Sequence, residues 1–370
     1  MSQDNTGKGG HTLAEILSQP QTWAKCLTGL QESGQLSDLR KRFAGGAECL
    51  FVGCGSSFYL AQSAAAAWSA ITGLRARGVP ASELLLFPDT LLAGTTDLVH
   101  LVPVLISRSG RTTEVLRAAE YLEGTRHIRT LAITCGSGQP LEQAASATIQ
   151  LPAADEQSTV MTRSFSSMLL ATEALAASVA GDHGFQQALG RMPALAEPLP
   201  VTLHDRILEF VGANQFADYV YLGQGPFYGL ACEAALKITE MSCSYAQPFH
   251  TLEFRHGPKA ILGPEVLVTF LLSESGREAE LNVLEEVKQL GATTLVVTNT
   301  AGERERANAD LLVELGFDVP EYARLAAYIV AGQLLGLTTA LKKGFNPDQP
   351  RNLSRVVVLE ADEKPQHASL

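Results

Sequence analysis

The sequence predicts an α/β protein made of two duplicated three-layer α/β/α units, each with a nucleotide-fold-like parallel sheet. Landmarks repeat in the same order at nearly constant offsets of 170, 166 and 164 residues: Gly53 with Gly223, Ser107 with Ser273, and Thr134 with Thr298. Within each copy, apolar runs typical of strands alternate with helical patterns, as in a parallel sheet. A chain of 370 residues is long enough for two such units.

The first copy is predicted to follow a polar, glycine-rich segment, residues 1–10, which we expect to be disordered, and an amphipathic helix over residues 12–30. Its strands are predicted at residues 48–52, 101–106, 130–134 and 147–151. Helices are predicted after them, one reaching residue 71 and others over residues 113–122, 141–145 and 165–180.

The second copy is predicted to follow a linker helix over residues 193–213. It begins with a strand at 218–222, a glycine turn and a helix, and it ends with a helix over 321–342. We therefore predict four parts: an N-terminal segment and helix (1–30), a phosphate-binding domain (31–192), a second domain with the catalytic residues (193–345), and a C-terminal tail that closes over the site (346–370).

Composition argues against several classes of function. The net charge of −11 and the pI near 5.3 do not suit a nucleic-acid surface, which needs clustered Lys and Arg. Because we find no signal peptide, no C-x-x-C pair and no apolar run of about 20 residues, we expect a cytoplasmic protein with no membrane partner. The eight histidines match no zinc spacing, and we expect neither a metal nor another cofactor.

The turn after the first strand reads Gly53-Cys54-Gly55-Ser56-Ser57 and opens a helix. Phe58 stands where a dinucleotide fingerprint requires its third glycine, so a dinucleotide dehydrogenase is only a weak alternative. Hydroxyls and backbone N–H groups at a helix N-terminus favour an anion. The turn therefore predicts a phosphate site, with Cys54, Ser56 and Ser57 as candidate residues.

A second polar turn follows the next strand and reads Ser107-Arg108-Ser109-Gly110-Arg111-Thr112. One Ser or Thr would suffice to cap the following helix, and an ordinary cap is the alternative. Because three hydroxyls and two arginines exceed that need, we predict phosphate binding by Ser107, Arg108, Ser109 and Thr112. In the second copy Glu274 and Glu278 stand at the places of Arg108 and Thr112. We expect these carboxylates to prevent phosphate binding there.

The helix after Gly223 carries Glu233, Lys237 and Glu240 at i, i+4 and i+7, on one face. A solvated face with an ordinary Glu–Lys pair is the alternative. The apolar residues between the three, and the glycine turn after a strand, where α/β sheets place their ligands, favour a site. His256 follows in a turn, where capping of a helix end is its alternative role.

These motifs resemble the tandem sugar isomerase (SIS) domain family, including the isomerase half of glucosamine-6-phosphate synthase. The resemblance covers residues 48–360 and rests on four patterns: Ser107-x-Ser-Gly-x-Thr112, Glu233-x-Ala-Leu-Lys-x-x-Glu240, Glu253-x-x-His256-Gly-Pro258 and Asp348-Gln-Pro-Arg-Asn352. It implies a sugar-phosphate isomerase that forms a homodimer with shared active sites. By this resemblance Glu240 moves a proton between C1 and C2, Lys237 is the helical lysine of the site, and His256 opens the sugar ring in the neighbouring subunit.

Three departures separate the chain from the synthase. It starts Met-Ser-Gln, without the cysteine nucleophile of a glutaminase domain, so we expect no glutamine-derived ammonia. Arg355 replaces the imine-forming tail lysine and cannot lose its proton to become a nucleophile. Residues 161–165 are more similar to the tagatose-6-phosphate and galactosamine-6-phosphate isomerase/deaminase branch. The resemblance therefore implies a hexosamine 6-phosphate deaminase/isomerase, with Thr159, Glu233 and Arg355 as further substrate-binding candidates.

A non-catalytic sugar-phosphate sensor is the main alternative to an enzyme. Such a sensor needs the turn that contains Ser107, but it does not need Glu240, Lys237 and His256 together. The presence of all three favours catalysis.

Overall fold

The computed structural model describes residues 7–43, 47–93 and 100–359, so most of the segment that the sequence predicts to be disordered lies outside the described residues. The first sheet has five parallel strands: β1 (Glu48–Gly53), β2 (Ala76–Pro80), β3 (Leu101–Ile106), β4 (Leu131–Thr134) and β5 (Ala147–Gln150). The second also has five: β6 (Asp218–Gly223), β7 (Ala246–His250), β8 (Val266–Leu271), β9 (Thr293–Thr298) and β10 (Leu311–Glu314). Their orders, β2-β1-β3-β4-β5 and β7-β6-β8-β9-β10, are the same. The predicted duplication and parallel α/β class are confirmed.

Helices cover both sheets and fill the space between them. They are α1 (Gly10–Leu17), α2 (Gln19–Glu32), α3 (Gln35–Leu39), α4 (Ser56–Thr72), α5 (Ala81–Leu86), α6 (Pro88–Leu92), α7 (Thr113–Glu120), α8 (Pro140–Ala144), α9 (Arg163–Ala180), α10 (His183–Ala196), α11 (Leu199–Ala213), α12 (Pro226–Ser242), α13 (Arg277–Gln289), α14 (Glu303–Asn308) and α15 (Leu325–Lys342).

Two predicted helices are each divided into two. The predicted helix 12–30 breaks at Ser18, and Pro20 lies in the first turn of α2, where its missing N–H leaves no intrahelical bond unmade. The predicted linker helix corresponds to α10 and α11, which separate before Leu199 with Pro200 in the first turn of α11. In both places a proline starts a new helix although the apolar periodicity continues. Periodicity alone therefore could not locate the boundary.

The edge strands β2 and β7 are absent from the sequence prediction. Their residues are mostly half-buried, because each strand has a neighbour on one side only. They therefore show neither the continuous apolar run of the central strands nor a clear alternation. By contrast, every residue of β3 and β8 is buried.

The same glycine turn begins the first helix of each copy. A Cβ on Gly53 would lie 2.4 Å from the carbonyl oxygen of Ser57, and a Cβ on Gly223 would lie 2.3 Å from that of Phe227. Gly55 and Gly225 have φ values of 54° and 55°, which favour glycine. Both turns thus require glycine for the same two reasons, closeness to the helix backbone and positive φ.

The two halves pack together through α4, α12 and α15. A Cβ on Gly229 of α12 would meet the Ser63 side chain of α4 at 2.4 Å, and a Cβ on Gly332 of α15 would meet the Ala234 side chain at 2.5 Å. One apolar core therefore continues across both halves. The stretch Glu321–Lys342 is apolar and long enough to cross a membrane, but 89% of its apolar window is buried inside the protein, as in a core helix.

Candidate active site

A cavity of about 180 Å³ opens at the carboxyl ends of β1 and β3, where parallel α/β sheets bind ligands. The turn before α4, the loop before α7, residues 159–161, α12 and the C-terminal tail all contribute to its lining, which consists of Cys54, Gly55, Ser56, Ser57, Arg108, Ser109, Thr112, Thr159, Met161, Glu240, Ser354, Arg355, Val356 and Val357. Larger cavities of 320 and 470 Å³ contain none of the predicted site residues. The cavity beside α4 is the one that gathers them.

Hydroxyl groups line one wall of this cavity. Ser56 and Ser57 form the first turn of α4, a 17-residue helix whose N-terminus favours an anion. On the neighbouring loop the Ser107 hydroxyl lies 3.2 Å from that of Thr112 and accepts a hydrogen bond from the Gly110 N–H. Gly110 has a positive φ of 63°, which favours glycine at this turn. The arrangement suits a phosphate group.

Lys237 lies at the centre of a buried charged cluster behind the cavity. Its Nζ is 2.5 Å from Glu240 Oε2 and 3.2 Å from Glu233 Oε1, and it donates to the Ser56 hydroxyl at 3.1 Å. Lys237 and Glu233 are fully buried, whereas the Glu240 side chain is 19% exposed and reaches the cavity. One carboxylate of the predicted helical face is thus available to a ligand, and the other supports the lysine.

The electrostatics of the cluster follow from its burial. Burial lowers the pKa of Lys237, but the charges of Glu233 and Glu240 outweigh this effect and raise that pKa above its ordinary value. Burial raises the pKa of Glu233 to about 7, although Lys237 draws it down. The lysine therefore remains a cation between its two carboxylates.

Arg108 lies in the cavity lining, but other groups surround its guanidinium. Nη1 donates to Glu156 at 3.2 Å and to the carbonyl of Val160 at 3.1 Å. Nη2 donates to the carbonyls of Thr159 and Arg355, each at 2.9 Å. The predicted phosphate-binding arginine thus holds together two backbone segments that border the cavity.

The C-terminal tail crosses the mouth of the cavity. The Thr113 N–H donates to the Val357 carbonyl at 3.3 Å, and the Leu359 N–H donates to the Thr113 hydroxyl at 3.0 Å. The Arg355 side chain pairs with Asp155 at 2.7 Å on the rim. Asp348 fixes the start of the tail by accepting two hydrogen bonds from Thr12. These contacts hold the tail against the cavity, whose lining includes residues 354–357.

Two other predicted residues differ in their relation to the cavity. The Cys54 thiol lines it and lies 3.8 Å from Glu114, and burial raises its pKa to about 12, so it remains protonated. His256 is exposed after the short helical turn Glu253–Arg255 and is not among the described residues that line the cavity of its own chain. His256 therefore lies outside the lining of the cavity that Glu240 reaches.

In the second copy the buried carboxylate beside the loop after β8 is not one of the two that the sequence predicts. Glu278 is exposed and pairs with Arg304, and Glu274 pairs with Arg324. Glu280 is the buried residue, and its Oε2 accepts from the Ser273 N–H at 2.8 Å and from the Ser273 hydroxyl at 3.1 Å. Burial raises the pKa of Glu280 to about 7. The expectation that Glu278 faces this loop is wrong, because its side chain is exposed and pairs with Arg304. Glu280 is the carboxylate that points inward.

Sequence reasoning also missed Met161, Glu156 and the apolar part of the tail, Val356 and Val357. The signal for Glu156 is its position in a polar stretch, residues 155–164, directly before the long apolar helix α9. The sequence gives no signal for Val356 and Val357, because the position of the tail depends on hydrogen bonds with Thr113, more than 240 residues away.

Comparison with known proteins adds independent findings. The family described as SIS domain matches residues 47–178 and 218–335. The isomerizing glutamine–fructose-6-phosphate aminotransferase of Aeropyrum pernix is 27% identical over 374 residues, which cover 96% of this chain but only 59% of that protein. Glucosamine-6-phosphate deaminase from Thermotoga maritima is 30% identical, with a TM-score of 0.77 over 94% of this chain and 100% of that one. Tagatose-6-phosphate ketose/aldose isomerase from Escherichia coli, at 23% identity, shares the fold, with a TM-score of 0.82 over 95% and 96% of the two chains.

Proposed function

We propose that this chain, which belongs to the SIS domain family, is a sugar-phosphate isomerase that acts on a hexosamine 6-phosphate and releases ammonia. The observation that carries the proposal is the contact of Lys237 with both Glu240 and Ser56. It joins a carboxylate suited to proton transfer to the helix N-terminus suited to phosphate. The similarity to a deaminase of nearly the same extent supports the choice of an amino sugar.

The hydroxyl-lined wall would hold the phosphate. Its proposed ligands are the N-terminus of α4 and the hydroxyls of Ser56, Ser57, Ser107, Ser109, Thr112 and Thr159. An acidic protein with a net charge of −11 must hold an anion by such local groups. Charge-assisted hydrogen bonds from hydroxyls and backbone N–H groups are about twice as strong as neutral ones. The phosphate thereby fixes the sugar chain so that its first carbons lie near α12.

Glu240 would transfer the proton. It takes the proton from C2 of the open-chain aldose and returns it to C1. The C1 oxygen gains a proton and the C2 nitrogen loses one, so that C1 becomes an alcohol and C2 an imine. Lys237, buried behind the cavity, would hold Glu240 in place through the 2.5 Å contact, and its positive charge would favour the negative charge that develops in the reaction. Water then adds to the imine carbon, its oxygen becomes the ketone oxygen, and the nitrogen leaves as ammonia. Glu233 acts through Lys237, because it is fully buried behind it.

We also propose that the active unit is a homodimer in which His256 opens the sugar ring in the partner subunit's site. This role needs an exposed imidazole, and His256 is exposed. Arg355 would close the rim as a fixed cation rather than as a nucleophile. All six cysteines are free, which supports a reducing compartment such as the cytoplasm.

A substrate panel tests the proposed reaction. The protein is incubated with hexose and hexosamine 6-phosphates, and ketose phosphate and ammonia are both measured. We expect equal amounts of the two from at least one hexosamine 6-phosphate, and a loss of about 10²–10⁴-fold in the Glu240→Gln variant. Binding without turnover of any panel member would instead favour a sensor, and ketose without ammonia would favour a plain isomerase.

A further inference from the structure

The guanidinium of Arg108 has few hydrogen-bonding hydrogens left for a ligand. Its two Nη atoms carry four N–H donors, and five acceptors surround them: Glu156 at 3.2 Å and the carbonyls of Val160, Ser158, Thr159 and Arg355 at 3.1, 3.4, 2.9 and 2.9 Å. The side chain is only 5% exposed. A phosphate could reach these donors only by breaking bonds that already exist.

The charge of Arg108 is also compensated. Glu156 is fully buried against it and accepts further hydrogen bonds from the Thr162 N–H at 2.7 Å and the Thr162 hydroxyl at 2.8 Å. Glu156 is therefore held in place from the other side as well. The pair contributes little net positive charge to the cavity, which distinguishes Arg108 from Arg111, an exposed arginine on the same loop.

The partners of Arg108 belong to two segments far apart in sequence. Thr159 and Val160 lie in residues 155–161, here called the wall segment, and Arg355 lies in residues 346–359, here called the tail. The segments also meet directly, because the Thr159 N–H donates to the Asp348 carbonyl at 3.3 Å. Both contribute residues to the lining of the cavity. A side chain that joins the wall segment to the tail therefore helps to fix the shape of the cavity.

We propose that Arg108 is a positioning residue that locks the wall segment to the tail, and that it is not a ligand of the phosphate. The proposal deepens the proposed function, on which it rests for the identity of the bound sugar phosphate. Because the planar guanidinium presents a rigid fork of donors, it can hold two carbonyls from different segments at once. A lysine in its place keeps the charge beside Glu156 but lacks the fork.

Hydrogen–deuterium exchange tests the lock in the full chain without any sugar. The informative amides are those of Thr113, Thr159 and Leu359, which border or belong to the tail contacts. In Arg108→Lys and Arg108→Gln we expect the Thr159 and Leu359 amides to exchange at least about tenfold faster than in the wild type, a change equal to about 1.4 kcal/mol. Arg111→Gln removes the same charge from the same loop and should leave these rates unchanged.

Calorimetry with inorganic phosphate provides the second measurement. We expect the phosphate affinity of Arg108→Lys to stay within about threefold of the Arg111→Gln value, since the hydroxyl ligands remain. Wild-type exchange rates of the Thr159 and Leu359 amides in Arg108→Lys would contradict the proposed locking role. So would an Arg108→Gln variant that loses phosphate affinity while these exchange rates stay at the wild-type values. Arg108→Lys retains a cation beside Glu156 and serves if Arg108→Gln does not fold. If no panel sugar is turned over by the wild type, the proposed function fails while both measurements still decide the role of Arg108.

Discussion

Replacing Glu280 by glutamine should stabilise the protein at alkaline pH and have little effect at acidic pH. Glu280 is fully buried in the second copy, where the Ser273 N–H and hydroxyl both donate to its Oε2. The Thr251 hydroxyl is a further polar neighbour of this carboxyl and partly opposes the rise of its pKa. Glutamine keeps an oxygen acceptor for Ser273 and has nearly the same shape, so it imitates the protonated acid.

The size of the effect follows from the pKa of Glu280, which burial raises from an ordinary 4.5 to about 7. Below pH 4.5 the carboxyl is protonated in both the folded and the unfolded chain, so pH has no influence there. Between pH 4.5 and 7 only the unfolded chain releases the proton, and the folded state loses about 1.36 kcal/mol of stability per pH unit. The full loss is therefore about 3 kcal/mol, reached above pH 7, and glutamine does not suffer it.

Urea unfolding followed by circular dichroism at pH 5 and pH 8 measures this difference. We expect the stability of Glu280→Gln relative to wild type to increase by about 2–3 kcal/mol between the two pH values. Glu278→Gln is the matched control, because Glu278 is exposed and its ion pair with Arg304 lies at the surface. A surface pair contributes about 0–1 kcal/mol. A Glu280→Gln advantage that does not change with pH would show that the buried carboxyl does not titrate in this range.

The remaining predictions concern the proposed reaction. Glu240→Gln should bind a hexosamine 6-phosphate nearly as well as the wild type in calorimetry, because it keeps the phosphate wall; a large loss of affinity would place Glu240 in binding. The pair Ser109→Ala and Thr112→Ala should weaken phosphorylated sugars by about 1.5–3 kcal/mol for each lost bond, but hardly affect unphosphorylated ones; equal losses would reduce both residues to helix caps. His256→Ala and Glu240→Gln proteins, each inactive, should recover up to about a quarter of wild-type activity when refolded together. No recovery in proven heterodimers would place His256 in its own chain's site.

Repeated local patterns allowed the sequence to predict much of this molecule. The glycine turns at Gly53 and Gly223 recur because each copy needs the same close approach of strand and helix. The family assignment made from the motifs is confirmed. Most candidate residues of the cavity follow directly from strands, since residues after a buried strand lie at one edge of a parallel sheet. Their roles in binding stay proposals.

Tertiary contacts decided what the sequence could not. The side chain of Arg108 looks like a phosphate ligand in its loop, and only the fold shows that Glu156 and distant carbonyls receive its donors. The wrong prediction for Glu278, in place of Glu280, differs in that the sequence did contain a useful pattern. Glu114 and Glu280 are separated by the same 166 residues as Ser107 and Ser273, so the offset between the copies already matches Glu280 with Glu114. It could not show that Glu114 would turn to Cys54 and Glu280 to Ser273.

The two copies have also exchanged the signs of one ion pair. In the first, the cation Arg108 follows β3 and the carboxylate of Glu156 follows β5; in the second, Glu274 follows β8 and Arg324 follows β10, with 2.5 Å between their charged atoms. An anion approaching the second loop would therefore meet the carboxylates of Glu274 and Glu280.

This reversal accounts for the proposed division of labour between the copies. The first sheet retains a loop that can accept a phosphate, and the second contributes α12. Lys237 of α12 donates to Ser56 of α4 at 3.1 Å, and this bond crosses from one copy to the other. Neither copy alone contains both the phosphate wall and the proton-transferring carboxylate. Selection on the proposed reaction would then act on the packing of α4 against α12, where Gly229 allows the two helices to approach.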